Sequence, residues 1–487
     1  MTDSPELEKE AENKLEKLSF STKLAYGAGD LGPAITANIL VFYLMFFFTN
    51  VVGLNVGLAS VILLMGKVWD AINDPLVGVL SDRTKSKWGR RHPWMFWGAI
   101  PFGVFFFLQW IIPKFSDNPT TNQWGLFWYY VIIAILSQSF YTIVNLPYTA
   151  LTPELTQDYN ERTSLNSFRF AFSIGGSIFS LLLALGIFSV VKADSATQYL
   201  VLAGVCTIFS ILPLYWCIWG TKDRVAITEA RRQATEIEDI TPIKEQLKIV
   251  FSNKPFLYVI GIYLCSWLGV QVTASIIPYF VVNWMGMREA ESPLVALAVQ
   301  GTALGMLFVW SRISQKVGKK AVYYMGMGLW ILAQAGLFFV QPGQLGWMYF
   351  LAVIAGFGVS VAYLIPWSMM PDVIELDELQ TGKRREGIFY GFMVLLQKVG
   401  LALGLFLVGQ ALQWSGFVEK VSGQPTPVQP DSALLAIRIA IGPLPTLALV
   451  GGVILAHFYP ITKEVHAEIL LKLQERRTQK NSDFGLE

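Results

Sequence analysis

The chain has 487 residues and a formal net charge of +2; 53% of its residues are hydrophobic and only 15% are charged. Soluble domains carry about 25% charged residues, so this composition excludes an ordinary soluble protein and favours a chain embedded in lipid. A nearly neutral chain also lacks the basic surplus that accompanies nucleic-acid binding, and we expect no such partner.

Long apolar runs recur along the whole sequence. A membrane-spanning helix needs roughly 20 mostly apolar residues. Twelve segments meet this requirement, near residues 24–50, 56–81, 93–113, 124–152, 164–191, 198–220, 256–283, 292–311, 320–341, 346–370, 387–413 and 432–460. The predicted fold is therefore an all-α membrane protein with twelve transmembrane helices.

Lysine and arginine are distributed unequally between the loops. The tails and alternate loops hold 29 of the 37 basic residues, and the other five loops together hold four. The basic loops lie near residues 82–92, 153–163, 221–255, 312–319 and 371–386. Because cytoplasmic loops carry the excess of Lys and Arg, we expect both termini in the cytoplasm. The first twenty residues lack a signal-peptide pattern, which favours a multi-pass protein of the bacterial inner membrane.

The two halves of the sequence resemble each other. Two short motifs recur after 218–229 residues: Gly89-Arg90-Arg91 as Gly318-Lys319-Lys320, and Asn145-Leu-Pro147-Tyr148 with Pro153 as Leu364-Ile-Pro366-Trp367 with Pro371. The predicted divisions are a cytoplasmic tail (1–22), a six-helix bundle (23–220), a cytoplasmic loop (221–255), a second bundle (256–460) and a second tail (461–487). Parallel repeats of this kind are typical of transporters whose solute site lies between the two bundles.

Seven ionisable residues fall inside predicted spans. A charged side chain at the centre of a bilayer costs at least about 2.5–3.5 kcal/mol, so each is a candidate for function. They are Asp30, Lys67, Asp70, Asp74, Arg169, Lys398 and Arg438.

Asp70 and Asp74 stand four residues apart in the second span, so both carboxylates project from one helical face. Adjacent carboxylates repel, and a bound Na⁺ or a shared proton would relieve the repulsion. The Asn73 amide or the Thr142 hydroxyl could complete a Na⁺ shell. The alternative is that Lys67 simply neutralises Asp70.

Arg169 and Lys398 occupy the fifth and eleventh spans, one in each half. They are candidate solute-binding cations, with snorkelling to the interface as the alternative; Arg438 is expected to snorkel. Tyr148 and Trp367 lie beside equivalent prolines, and we expect them either to stack on a solute or to pack between helices.

Several stretches resemble the glycoside–pentoside–hexuronide:cation symporter family of the major facilitator superfamily. The likeness covers residues 20–460. It is carried by Tyr-Leu-Met-Phe-Phe-Phe-Thr-Asn-Val-Val-Gly-Leu (43–54), Trp-Asp-Ala-Ile-Asn-Asp-Pro-Leu-Val-Gly (69–78), Ser-Lys-Trp-Gly-Arg-Arg-His-Pro-Trp (86–94), residues 145–156 and Pro-Asp-Val-Ile-Glu-Leu (371–376).

The resemblance implies roles for individual residues. It implies a cation site at Asp70, Asn73, Asp74 and Thr142, solute contacts from Arg169 and Lys398, and a cytoplasmic gate at Asp82, Arg83, Arg90 and Arg91. In melibiose permease two aspartates and a tryptophan hold or adjoin the sugar. Ala34, Asn145 and Thr149 stand at those places here, which predicts a different solute.

The sequence therefore predicts a symporter that couples Na⁺ or H⁺ entry to uptake of a glycoside, pentose or uronide. Residues 363–374 are similar to lysophosphatidylcholine symporters, so an amphiphile carrier is the alternative. A membrane enzyme is disfavoured because no metal cluster, nucleophile motif or phosphate loop is present. A sensor is disfavoured because no loop or tail is large enough for an output domain. We expect no cofactor, and a monomer whose partners are solute, cation and lipid.

Overall fold

The computed structural model describes residues 17–483 except 157–158, 233–242, 383–385, 421–423 and 425. The regular elements of this described part are helices. In the first half of the chain they are α1 (Phe20–Ala28), α2 (Leu31–Ile39), a π-helix (Leu40–Leu44), α3 (Met45–Asn50), α4 (Val56–Asp82), α5 (His92–Leu108), α6 (Pro119–Thr149), α7 (Thr152–Leu155), α8 (Tyr159–Val190) and α9 (Ser195–Arg232).

The second half has the same character. Its elements are α10 (Ile243–Ser252), α11 (Lys254–Tyr279), a π-helix (Phe280–Trp284), a 3₁₀ turn (Glu289–Glu291), α12 (Ser292–Val317), α13 (Lys319–Phe339), α14 (Leu345–Thr381), α15 (Glu386–Trp414), α16 (Asp431–Ile441), α17 (Pro443–Phe458) and α18 (Lys463–Asp483).

The prediction of twelve transmembrane helices is confirmed. Among the described residues, eleven helical segments are long and apolar enough to cross a membrane, and α5 is a shorter apolar helix of 17 residues. The third span was predicted to reach residue 113, but α5 ends at Leu108. Tyrosine hydroxyls of α6 bind carbonyls at and after this end: Tyr129 donates to Leu108 O at 2.9 Å, and Tyr130 donates to Ile111 O at 2.8 Å.

The predicted central loop is partly helical. Helix α9 continues to Arg232, beyond the expected end at residue 220, and α10 follows before the next span. The extension has a local cause, because residues 221–232 contain neither Gly nor Pro to stop a helix.

The chain divides into two compact units. The first comprises Met1–Glu238 with Val418–Val428, and the second comprises Asp239–Phe417 with Gln429–Glu487. In the first unit α4 packs along α6, and α1 and α2 pack against α8 and α9. A Cβ at Gly32 would lie 2.4 Å from the Ser210 carbonyl oxygen, so only glycine allows α2 to approach α9 this closely.

In the second unit α14 packs between α12 and α13, and α11 packs against α15 and α17. Arg438, which we expect to snorkel, lies where α16 approaches the end of α13. Its Nε and Nη2 donate to the Phe338 carbonyl at 3.0 and 2.7 Å, and its guanidinium lies 4.5 Å from the Trp284 ring centroid. The exposed carbonyl at the end of α13 provides a partner that sequence position does not reveal.

The predicted repeat also appears in the backbone, at a place that the sequence motifs did not indicate. Gly53 and Gly286 both have positive φ, 73° and 67°, at the end of the first long helix of each half. The same two hydrogen bonds precede them at an offset of 233 residues: Val52 N to Phe47 O and Leu54 N to Phe48 O, then Met285 N to Phe280 O and Met287 N to Val281 O.

The segment Val418–Val428 joins α15 to α16, yet it belongs to the first unit. Glu419 Oε1 accepts hydrogen bonds from Val56 N at 2.9 Å and from Asn55 Nδ2 at 3.4 Å. Lys420 N donates to Thr49 O at 2.9 Å. The carboxylate thus lies at the start of α4, where the unsatisfied N–H groups of a helix favour negative charge.

Candidate functional site

The candidate cation site lies in the middle of α4, facing α6. The Thr142 hydroxyl oxygen lies 2.9 Å from Asp70 Oδ1 and 3.0 Å from Asp74 Oδ1. Asp70 is 14 residues from Val56, so it lies about 21 Å along the helix. Asp70 is 1% exposed and Thr142 is also 1% exposed, so these oxygens meet in the interior of the first unit. The structure brings together the i, i+4 carboxylates and the α6 hydroxyl, as the sequence predicted.

The hydrogen count at this site limits its chemistry. A threonine hydroxyl has a single hydrogen, so it can donate to one carboxylate at a time. The other short oxygen–oxygen contact then needs a proton on a carboxylate or a cation between the oxygens. Three oxygens that converge in this way form a ready site for Na⁺ or H⁺.

Asn73 completes the predicted set. Its side chain is 7% exposed, and its Nδ2 makes no hydrogen bond with any described residue. One turn of α4 therefore carries two carboxylates and a buried amide.

Lys67 has a partner on the neighbouring helix. Its Nζ donates to Gln138 Oε1 of α6 at 3.2 Å. Gln138 is 9% exposed, so the ammonium is held one turn before Asp70 by a neutral amide. Lys67 therefore contacts α6 from the same helix that carries the two carboxylates.

Arg169 lies on α8 and faces Asp30 at the start of α2. Arg169 Nε and Asp30 Oδ2 are 3.6 Å apart, and their side chains are 25% and 11% exposed. Ser173 also hydrogen-bonds the Asp30 carboxylate. The pair explains how the membrane interior holds both charges.

The other predicted solute residues of the first unit are spread along neighbouring helices. Asn145 is partly buried, and its Oδ1 makes no hydrogen bond with any described residue. Thr149 donates to the carbonyl of Leu146 at 2.9 Å, and Ala34 is partly exposed on α2.

Tyr148 is fully buried in this conformation. Its ring stacks on Tyr26 with the centroids 5.2 Å apart, and its hydroxyl donates to the Tyr26 carbonyl at 2.9 Å. Tyr26 in turn hydrogen-bonds the Thr152 hydroxyl. A solute could reach the Tyr148 ring only after α1 moved away from it.

The second unit carries Trp367 on α14 and Lys398 on α15, both partly buried. The Trp367 ring stacks on Tyr390 at 5.9 Å and meets Tyr263 edge-on at 6.1 Å. Trp367 therefore belongs to a group of three aromatic rings and is not an isolated side chain.

The predicted gate residues meet a glutamate that the sequence analysis did not select. Arg90 Nε lies 2.5 Å and Arg91 Nε 3.0 Å from Glu154 Oε1 of α7. Arg91 also pairs with Asp82 and donates to the Ser81 hydroxyl. Arg83 is exposed at the end of α4, away from this cluster.

The second unit repeats this ion pair. Lys319 Nζ lies 2.6 and 2.8 Å from the two oxygens of Asp372 and donates to Ser368 O at 2.7 Å. Glu154 and Asp372 each follow the last proline of one repeated motif. Arg90 and Lys319 each follow the glycine of the other. The acidic partners could therefore have been found by extending the repeat by one residue.

The family is decided by a match along nearly the whole chain. A family model described as MFS/sugar transport protein matches residues 25–463. The chain belongs to this family. It is a member of the glycoside–pentoside–hexuronide:cation symporters, and it is a transporter rather than an enzyme.

Individual relatives agree with the family assignment. An uncharacterized symporter of Synechocystis sp. is 54% identical, over 95% of this chain and 98% of that protein. The isoprimeverose transporter of Lactiplantibacillus pentosus is 26% identical over 95% and 93% of the two chains. The sodium-dependent lysophosphatidylcholine symporter 1 of Gallus gallus is 27% identical over 96% and 91%.

Solved structures confirm the fold. The crystal structure of a D-xylose-proton symporter superimposes with a TM-score of 0.63 at 17% identity, covering 90% of this chain and 97% of that one. The predicted major facilitator fold is therefore confirmed.

Proposed function

We propose that this transporter couples the entry of Na⁺ or H⁺ to the uptake of a sugar-like solute, a glycoside, pentose or uronide, by alternating access. The observation that carries the proposal is that carboxylate oxygens of Asp70 and Asp74 both lie within 3.0 Å of the Thr142 hydroxyl oxygen. Such a site is costly to bury without a cation, so cation binding and local order are linked.

The proposed coupling follows from that link. A cation between the carboxylates removes their repulsion and fixes α4 against α6. If the solute binds better to this ordered form, each ligand raises the affinity for the other by the same factor. Arg169 and Asp30 on α8 and α2 and Asn145 on α6 are the proposed polar contacts of the solute, and Lys398 and Trp367 are those of the second unit.

The basic residues carry a proposal about orientation. The clusters at Arg90–Arg91 and at Lys319 follow α4 and α12, in the loops that the charge bias places inside. The protein would then reside in a bacterial inner membrane as a monomer with both termini in the cytoplasm. Cysteines introduced into the two tails should be labelled by a membrane-impermeant maleimide only after the cells are opened.

The test of function is uptake into proteoliposomes under imposed Na⁺ or H⁺ gradients, with a panel of radiolabelled pentoses, glycosides and uronides. Gradient-driven uptake is expected for at least one solute, and Asp74→Asn should abolish the stimulation. Asp117→Asn is the matched control, because Asp117 is an exposed loop carboxylate paired with Lys114. Uptake that ignored both gradients would contradict the proposal.

The Thr142 hydroxyl can be tested separately. Thr142→Val keeps the shape of the side chain but removes its oxygen, and it should weaken the apparent cation affinity at least tenfold. Thr142→Ser keeps the oxygen and should remain within a few-fold of wild type. Equal affinities for the two variants would remove Thr142 from the site.

An amphiphile carrier is the second candidate. It is favoured by the likeness to lysophosphatidylcholine symporters along most of the chain. Sodium-driven uptake of radiolabelled lysophosphatidylcholine, lost in Asp74→Asn, would support it over the sugar-like solute.

A further inference from the structure

Three side chains with metal-binding atoms converge where α18 meets the end of α14. Asp372 and Glu375 lie one turn apart on α14, and His466 lies in the first turn of α18. His466 Nε2 is 2.6 Å from Glu375 Oε2 and 3.3 Å from Asp372 Oδ1. No other group of three His, Cys, Asp or Glu side chains in the described chain comes together in this way. The proposed transport mechanism uses none of the three.

A buried tyrosine within electrostatic range of Asp372 has a hydroxyl that makes no hydrogen bond with the described residues. This residue is Tyr459, which is 2% exposed. Buried hydroxyl groups are nearly always hydrogen-bonded to protein or to ordered water. A group that is absent from the protein itself, such as a metal-bound water, would satisfy it.

The charges also favour a cation. Asp372 and Glu375 carry two negative charges, and Lys319 balances one of them at 2.6 Å from Asp372. A metal ion binds the deprotonated form of an imidazole. In that form of the cluster one negative charge remains, in a region where Asp372 is only 4% exposed. A divalent ion bound by the two carboxylates would compensate this remaining negative charge.

The three ligand atoms lie within 4.8 Å of one another, and the two distances from His466 can be compared with tetrahedral coordination. Metal–ligand bonds of about 2.0–2.1 Å place neighbouring ligand atoms ~3.3 Å apart. The distance between His466 and Asp372 already has this value. Glu375 must retreat from His466 by a fraction of an ångström, and its side chain, which is 24% exposed, has room to do so.

Lys319 does not exclude an ion. A carboxylate offers about four lone-pair positions, and Lys319 uses one on each oxygen of Asp372. Asp372 can therefore accept from Lys319 and still ligate a metal. One imidazole with two carboxylates is a donor set that suits Zn²⁺ and leaves a fourth position for water.

We propose that Asp372, Glu375 and His466 bind a divalent transition-metal ion, foremost Zn²⁺, which fastens α18 to the end of α14. The site is separate from the Asp70/Asp74 site, and it would exist whatever solute the transporter carries.

The first test is calorimetric titration of ZnCl₂ into the full-length protein in detergent, without a polyhistidine tag and after removal of metal with EDTA. Wild type should bind one ion per chain saturably. His466→Ala should bind at least 10–100-fold more weakly, and His466→Cys, which restores a zinc ligand, should recover much of the affinity. His457→Ala is the matched control, because His457 is exposed and outside the cluster.

The second test reports on α18 itself. Zn²⁺ should slow tryptic cleavage at Lys472 severalfold in wild type and in His457→Ala, and should leave the rate unchanged in His466→Ala. If His466→Ala fails to fold, Glu375→Gln replaces it, since this side chain is partly exposed and the substitution keeps its size. No saturable binding in wild type, or equal binding in wild type and both variants, would overturn the proposal.

Discussion

Each unit has an ion pair at the equivalent place of the repeat, but different residues surround it. In the first, Arg90 and Arg91 meet Glu154, and Asp82 completes the cluster. In the second, Lys319 meets Asp372, and His466 and Glu375 complete it.

The difference lies in where the completing groups come from. Asp82 and Ser81 end the helix that precedes the arginines, so the first cluster closes with neighbouring chain. The second cluster depends on α18, about 90 residues further along the chain than Asp372 and Glu375. The first cluster is therefore closed by the helix that precedes the arginines, whereas the second is closed by α18, which follows the apolar helices of the second unit.

The largest effect is expected from Glu154→Gln. Arg90 and Arg91 have side chains only 11% and 8% exposed, and the change removes the carboxylate that both share. Loss of one partner of a buried pair costs about 3–5 kcal/mol. The apparent unfolding temperature in detergent, measured at one scan rate, should fall by several degrees, whereas Glu154→Asp should fall less. An unchanged temperature would mean that the arginines are balanced elsewhere.

Asp372→Asn should have a smaller effect. Lys319 is 32% exposed and keeps its hydrogen bond to Ser368 O, so water and the carbonyl compensate for the lost charge. A charge-assisted hydrogen bond of this kind contributes about 1.5–3 kcal/mol. The same thermal assay should place this variant between Glu154→Gln and wild type. A larger loss than that of Glu154→Gln would reverse the comparison.

His466→Ala, studied in EDTA, should change global stability by no more than about 1 kcal/mol, because its side chain is 26% exposed. Its effect should be local: cleavage at Lys472 should accelerate while the unfolding temperature stays nearly constant. A global loss of stability would show that α18 is an integral part of the second unit.

Asp117→Asn sets the lower limit of the series. The Lys114–Asp117 pair is 72% and 93% exposed, and such surface pairs contribute about 0–0.5 kcal/mol. Its unfolding temperature should coincide with that of wild type. A measurable fall would mean that detergent, rather than the ion pairs, dominates the assay.

The sequence was sufficient for the helices and for the carboxylate pair. Twenty-residue apolar runs have few alternatives in lipid, and the i, i+4 spacing places Asp70 and Asp74 on one face of any helix. Thr142 was proposed from the residues only as one possible partner beside Asn73, and the family likeness implied it as well, because no local rule connects a hydroxyl 72 residues away with Asp70.

The missed contacts were those that depend on how helices pack. Asp30 and Arg169 are 139 residues apart, and nothing in the neighbourhood of either predicts that α2 and α8 will place them 3.6 Å apart. Glu154 was missed for a different reason. It lies between predicted spans, where a charged residue is common and was not selected, although its place after Pro153 matches that of Asp372 after Pro371. Tyr148 shows the limit of proline-based reasoning, since in this conformation its ring packs between helices.

The contact between Glu419 and the start of α4 has a consequence for biogenesis. Val56 and Glu419 are separated by 363 residues, which takes roughly 20–70 s to synthesise at about 5–20 residues/s. The helices of residues 20–232 therefore leave the ribosome long before Glu419 is synthesised. Asn55 can cap α4 from the start, but the Val56 N–H gains its carboxylate partner only when residues near 419 have been made.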